Sequence, residues 1–335
     1  MISILTDSKK WDEAAEASYF PFVSYRFGWL HSIGKSFPNL EPLPLAKMNE
    51  RGIPEYICPC FIDRKKKEIV SSVFLAPGFV SQNVDPRETV ETLVGFAKRE
   101  RCLKISLQIP PGYHHSGTLL SLGFDLVNKV CFFNIETGRA ESFEAYLQTD
   151  CSRGRRSDIH SSLRKGLSVD ILSPSPEALD RFYSVYRSLA ERKNIDVFEK
   201  AFIDELSRSL SENARFWIVK ANGTDIGSAL TFEFKDRIWG WLAHGEAKFA
   251  DMKIGSFLYA EQIRYAFQKK ISVIDFGTSE LGSSLADFKR RFGAEPVFHE
   301  VYELDLSLLS PFRKAVPRLK RIIGARFLKN NGSTR

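Results

Sequence analysis

Nowhere does this chain run for the ~18 apolar residues that a membrane-spanning helix requires. Its start, MISILTDSKKWDE, lacks a basic segment followed by an apolar run, which predicts no secretory leader and a cytoplasmic address. Cysteine is scarce: five residues, at 58, 60, 102, 131 and 151, form no disulfide-like array. Cys58-Pro-Cys60 has no second pair at zinc spacing, so two thiols on a buried strand are expected there and no metal. Acidic residues are missing from 311–335, which holds eight Lys or Arg. Setting those eight aside leaves 40 basic against 41 acidic residues, a net of −1 over 1–310. The overall charge of +7 therefore belongs to the tail and does not describe a nucleic-acid-binding body.

What is present is ordinary core-forming material. Of 335 residues, 43% are apolar, 27% charged and 13% aromatic, which predicts a soluble globular protein of two domains. Ile2–Leu5 reads as a strand, Thr6 or Asp7 as the cap of a helix to Ala17, and Ser24–Ser36 as a second helix. Tyr56–Ile62 and Glu68–Leu75 flank the basic run DRKKK (63–67), read as a solvated hairpin turn rather than a phosphate patch. A helix from Pro86 to about Arg101, a strand to Ile109, a short helix and a strand to Ile135 follow. His114 and His115 fall in the breaker-rich connection, without a carboxylate or cysteine nearby.

The second half repeats that order, with strands over Leu167–Leu172, Arg215–Ala221, Asp225–Lys235 and Arg237–Glu246 and a tight turn at Asn222-Gly223. A helix from about Gly255 to Lys270 precedes a short β-branched strand, Ile271–Ile274. Then comes IDFGTSELGSSLADFKRRFGAEP (274–296). Ser284 and Asp287 fit a capping box, Leu285, Phe288 and Phe292 an apolar helix face, and Gly293 its stop. On that wheel Lys289 falls at the margin of the buried face. Between the halves, 142–165 reads as one basic helix. Its Arg153, Arg155, Arg156, Arg164 and Lys165 either meet an oxyanion or solvate a linker. The expected organisation is α/β (α+β): a domain over 1–140, a basic linker helix over 141–166, a second domain over 167–310 and a basic tail over 311–335.

The element order, with DFG at 275–277 and FKRRFGAEP at 288–296, resembles the GNAT acyltransferase superfamily. Within it the chain is similar to the tandem Fem-type aminoacyltransferases and the related "BioF2-like" proteins linked to cell-envelope glycans. The signature matched is DFG followed by (Y/F)K-x-(K/R)-(F/W)-G-A-x-P; Arg156, Ile159 and Lys165-Gly166 match the linker of that family. The resemblance implies two tandem GNAT-like domains, each a mixed, mostly antiparallel sheet flanked by helices. It also implies a meander leading to a strand that splays from its neighbour, and a following helix that receives the donor's pyrophosphate. The usual acetyl-CoA loop, (Gln/Arg)-x-x-Gly-x-(Gly/Ala), is depleted: Ala250 and Lys253 replace its first two fixed residues and only Gly255 survives. Donor binding is assigned to Lys253, Gly255 and Ser256. The donor is an acyl-CoA held without the full glycine cradle, an acyl carrier, or an aminoacyl-tRNA, the one case in which nucleic acid is a partner.

Acyl transfer to an amine needs a deprotonated nucleophile, a placed carbonyl and a stabilised oxyanion. The resemblance assigns the last role to Lys289, since a fixed ammonium in a water-poor cleft stabilises developing negative charge. Glu246 and His244, two apart on one strand, are the candidate bases. Asp275 either binds substrate or caps its turn, and Arg156 holds an acceptor phosphate or carboxylate. Trp239 and Trp241 read as core rather than sugar platforms. The expected activity is N-acyl transfer to an amine of a cell-envelope glycan precursor or similar acceptor. The alternatives are an aminoacyl-tRNA-dependent ligase of the peptidoglycan-bridge type and a catalytically silent, membrane-associated subunit of a polysaccharide assembly. In the tail, Ile322, Ile323, Phe327 and Leu328 form an apolar side among basic residues, so it is read as either an inner-membrane surface helix or an extension that is packed or disordered.

Overall fold

The computed structural model describes residues 2–71, 73, 86–193 and 197–307, and of residues 189–193, 244 and 247 the backbone only. The tail over 311–335, with its expected membrane contact, lies outside the described residues. The first half opens with Ile2–Ile4 (β1) and Ser8–Glu16 (α1), where the Asp7 carboxylate accepts from the amides of Lys9 and Lys10 and so caps the helix. A one-turn 3-10 helix, Val23–Tyr25, leads into Phe27–Ser36 (α2). Leu40–Met48 (β2), Pro54–Asp63 (β3) and Glu68–Val70 (β4) form an antiparallel meander. Its basic turn closes locally. Asp63 accepts from the amides of Lys65 and Lys66, and Lys67 adopts a left-handed φ of 54°. Arg87–Arg99 (α3), Lys104–Ile109 (β5), Ser116–Ser121 (α4) and Asp125–Glu136 (β6) complete this half.

The single linker helix expected over 142–165 is two helices, Phe143–Thr149 (α5) and Arg153–Arg164 (α6). Two serine caps account for the break. Ser142 Oγ accepts from the Ala145 amide and Ser152 Oγ from the Arg155 amide, while the Ser152 amide itself donates to the Arg291 carbonyl at 2.9 Å. Ser168–Leu172 (β7), Pro176–Lys193 (α7), Lys200–Ser209 (α8), Ala214–Ala221 (β8), Thr224–Phe234 (β9) and Arg237–Gly245 (β10) follow. Ile254–Lys269 (α9), Val273–Thr278 (β11), Ser284–Arg290 (α10) and Glu295–Asp305 (β12) end the described chain.

The twelve strands of the described residues join one sheet, in the order β1-β2-β3-β4-β5-β12-β6-β11-β10-β9-β8-β7. It is mixed and mostly antiparallel, since β4–β5 and β10–β11 are its parallel pairs. The two halves exchange their last strands: β12 pairs with β5 of the first half, and β6 with β11 of the second. β6 and β12 pair with each other along nine positions at the centre. One aromatic core then spans both halves, with Trp29 of α2 packed on Phe232, Trp239 and Trp241 at centroid distances of 5.4–5.8 Å. Helices α2 and α8 meet closely at Gly28, where a Cβ would stand 2.7 Å from the Ser209 carbonyl oxygen.

The chain after α10 turns at Gly293, whose φ is +85°. A Cβ there would stand 2.9 Å from Tyr146 Oη and 3.0 Å from Asp150 Cβ, both belonging to or bordering α5. Left-handed geometry and overpacking would act together. Gly293→Ala is expected to lower stability by at least about 2 kcal/mol, read as a lower urea midpoint at unchanged m-value.

Candidate active site where strands β10 and β11 part

Strands β10 and β11 pair in parallel for three positions, Arg237 with Val273, Ile238 with Ile274 and Trp239 with Asp275, and then separate. Two glycines stand at the vertex. A Cβ on Gly240 would lie 3.4 Å from the Asp275 carbonyl oxygen, and one on Gly277 would lie 3.3 Å from that of Gly240. Gly277 has a φ of +70° and sits where the pairing of β11 with β6 slips between Asp275 and Thr278, so β11 bends away as at a bulge. β10 has its own register shift between Gly240 and Leu242. Into the gap opens a cavity of about 480 Å³, walled by Trp239 and Trp241 of β10, Phe276 of β11, Phe132 of β6 and Phe198 before α8. Tyr259 and Gln262 of α9 and Leu285 and Lys289 of α10 close its other side.

Lys289 arrives by a different packing from the one expected. The cap of α10 is Ser283, whose Oγ accepts from the Ala286 amide, one residue earlier than the Ser284–Asp287 box. Leu285, expected inside, is 49% exposed at the cavity, while Lys289, expected at the margin, is 2% exposed. The helix docks through Ala286 and the following Phe292, which turns Lys289 inward. Its Nζ donates to the carbonyls of Gly277 at 3.0 Å and Thr278 at 2.9 Å, and lies 5.6 Å from the Phe133 ring centroid. Two of its three N–H groups are thereby used. Burial pulls its pKa down to about 8, against the opposing pull of Asp275 and Cys131.

Asp275 is fully buried, and its Oδ1 accepts the Gly277 amide at 2.7 Å, so the side chain ties the bend of β11. Its Oδ2 lies 3.9 Å from Arg237 Nη1. Burial lifts this carboxyl to about 6, although Arg237, the Gly277 amide and Lys289 all favour the charged form. Glu246 stands one residue past the end of β10, as the cap of the 3-10 turn Ala247–Met252, and its Oε2 is 2.7 Å from Lys248 Nζ. The strand ends at Gly245, and Glu246, still extended and with its amide donating to the Ile226 carbonyl at 2.9 Å, is not among the described cavity-lining residues. His244 pairs with Ser228 through its backbone.

The expected donor residues gather at the start of α9. Lys253 caps that helix in a left-handed conformation, φ 58°, and is exposed; Gly255 is exposed, and a Cβ there would lie 3.6 Å from Phe288. Ser256 is buried, and its Oγ accepts from Arg155 Nη1 at 2.8 Å while the Arg155 guanidinium lies over Phe288 at 4.3 Å. Arg156 stands apart from both groups. Its Nη1 donates to the carbonyls of Leu147, Gln148 and Cys151 at 3.2, 3.1 and 2.6 Å, satisfying the open end of α5. Sequence reasoning left out Gln262 and Tyr259. The available signal was Gln262 in the four-residue series Leu258, Gln262, Ala266, a polar residue on an inward stripe.

Among the described residues no group of three His, Cys, Asp or Glu could hold a metal ion, and no helix is long and apolar enough to cross a membrane. Residues 153–290 match the family model described as an acetyltransferase (GNAT) domain, and over that span the chain carries a GNAT-type acyltransferase domain. Similar solved structures include FemX, at 12% identity and a TM-score of 0.72, with 94% of this chain and 99% of that one covered. The C-terminal domain of a putative lysylphosphatidylglycerol synthetase from Agrobacterium fabrum aligns at 12% identity and 0.63, over 94% and 95% of the two chains. A tandem GNAT protein from the clavulanic acid biosynthesis pathway aligns at 9% identity and 0.59, over 92% and 98%. These likenesses show a GNAT-like fold along the chain. None of the curated proteins matches it in sequence.

If Arg156 serves α5, Arg156→Met should cost about 1–3 kcal/mol of stability, the range for unsatisfied buried carbonyls, and speed amide exchange at the end of α5. A variant of full stability with a raised KM would instead return Arg156 to substrate binding.

Proposed function

We propose that this protein is an N-acyltransferase of the GNAT/Fem-like type, which transfers an acyl or aminoacyl group to an amine of a cell-envelope glycan precursor or a similar acceptor. One observation carries the reading: Lys289 is buried at the parting of β10 and β11, held by two carbonyls, and lines the cavity. The acceptor nitrogen attacks the acyl carbon and the carbonyl π electrons move to oxygen. The fixed ammonium stabilises that oxyanion in a site poor in water. Collapse breaks the bond to the donor's sulfur or oxygen and leaves an amide, while the nitrogen's proton passes to solvent. Lys289 is the sole charged side chain among the described cavity-lining residues, so the amine enters neutral.

The donor end supports a carrier other than a fully cradled CoA. Lys253 brings a side chain to a position where the glycine-lined loop has none, and Ser256 is already engaged by Arg155. The likenesses to FemX and to a lysylphosphatidylglycerol synthetase domain favour an aminoacyl donor as the second reading. The two readings separate in one assay of amide formation. An aminoacyl-tRNA donor requires activity lost on RNase treatment and unresponsive to acyl-CoA; the reverse pattern selects CoA.

The lysine makes its own prediction. Lys289→Met is expected to lower kcat about a hundred- to a thousandfold, and full turnover by that variant would remove Lys289 from the chemistry. The oxyanion donor is the protonated amine, present below about 8 and lost above it. Activity should therefore fall as pH rises through that value, and Lys289→Arg should move the alkaline limb upward.

A further inference from the structure

The cavity holds a second donor that the mechanism above does not use. Gln262 is 2% exposed, lines the cavity from α9, and its Nε2 has no hydrogen-bond partner. A buried amide N–H without an acceptor costs free energy until something supplies one. Much of the remaining wall is aromatic: Phe198 stacks on Trp241 at 5.0 Å and Trp241 lies beside Trp239 at 6.4 Å, while Tyr259 meets Phe276 in a tilted contact at 4.2 Å. A volume of about 480 Å³ suits an organic ligand of some size, and an acetyl group would leave most of these rings without contact. No carboxylate lines the cavity among the described residues, so a cationic side chain would face Lys289 unpaired.

We infer that this cavity seats a bulky, uncharged acyl group, aromatic or long-chain aliphatic, and that Gln262 Nε2 donates to its carbonyl oxygen from α9 as Lys289 does from α10. The inference rests on the acyl-transfer reading for the identity of the site, and it names the substrate class. Acyl size and charge are selected by the aromatic walls; the carbonyl is placed by the two donors. Gln262 touches the reacting group and adds to the stabilisation of the oxyanion.

Equilibrium binding to the full chain tests it without turnover, through the fluorescence of Trp239 and Trp241. The probes are N-methyldecanamide, N-methylacetamide and N-methyl-6-aminohexanamide. The decanamide is expected to bind at least about a hundredfold tighter than the acetamide, from its added methylenes, and the aminohexanamide no tighter than the acetamide. Gln262→Leu, close in size, should weaken decanamide binding about three- to tenfold, the worth of one neutral hydrogen bond. Gln262→Glu should also weaken the decanamide and should admit the aminohexanamide. Equal affinity for all three probes would overturn the size and charge selection. Decanamide binding untouched by both Gln262 variants would overturn the hydrogen bond. Should Gln262→Leu fail to fold, the wild-type probe series and Gln262→Glu still decide. Because no product is measured, a chain that binds the decanamide selectively but forms no amide refutes the acyl-transfer reading alone.

Discussion

Everything at the candidate site depends on two strands that stop pairing. Past Trp239 and Asp275, β10 and β11 no longer pair, so Gly277 and Thr278 have no β10 partner in the ladder. Backbone carbonyls withdrawn from a ladder need other donors, and for these two the donor is the ammonium of Lys289. The same opening that makes room for a ligand thus creates the need that fixes the lysine. Gly277 permits the bend, because its φ of +70° is one that residues with a side chain rarely adopt and a Cβ there would stand 3.3 Å from the Gly240 carbonyl oxygen. Asp275 adds rigidity by holding the Gly277 amide, which keeps the bend of β11 at one angle.

The exchange of final strands explains why so large a sheet presents a stable vertex. β6 backs β11 on the side away from β10, so the splayed strand keeps a partner at Val273, Ile274, Asp275 and, past the slip, Thr278. β6 is in turn held by β12, the strand that immediately follows α10 and Lys289. The first half therefore braces the site of the second, and the second half closes the sheet of the first. The linker contributes in the same sense: α5 packs under the Gly293 turn, and Arg156 closes its last carbonyls. Arg156, which sequence reasoning assigned to an acceptor anion, donates from Nη1 to three carbonyls at this joint.

Two chemical characters meet in the cavity. Its walls are aromatic because β10 runs through the shared core, so Trp239 and Trp241 serve as core residues and as cavity wall at once. Its polar side chains include Gln262 of α9, Lys289 of α10 and Thr278 of β11. Burial lowers the affinity of Lys289 for its proton, pulling its pKa down to about 8.

The sequence by itself determined the element order, because strand alternation, serine and aspartate caps and glycine stops are local signals. Asp7, the Asn222-Gly223 turn and Gly293 all act where their chemistry places them. It also singled out Lys289 and the DFG segment. Tertiary structure alone decided which way Lys289 points. Helical periodicity put Leu285 inside and the lysine at the edge, yet α10 is only seven residues long, and so short a helix takes its orientation from its neighbours. Tertiary structure likewise left Glu246 outside the described cavity lining and brought Gln262 in. It also exchanged β6 with β12. The strand exchange depends on pairings between residues more than a hundred positions apart, and no local pattern encodes it.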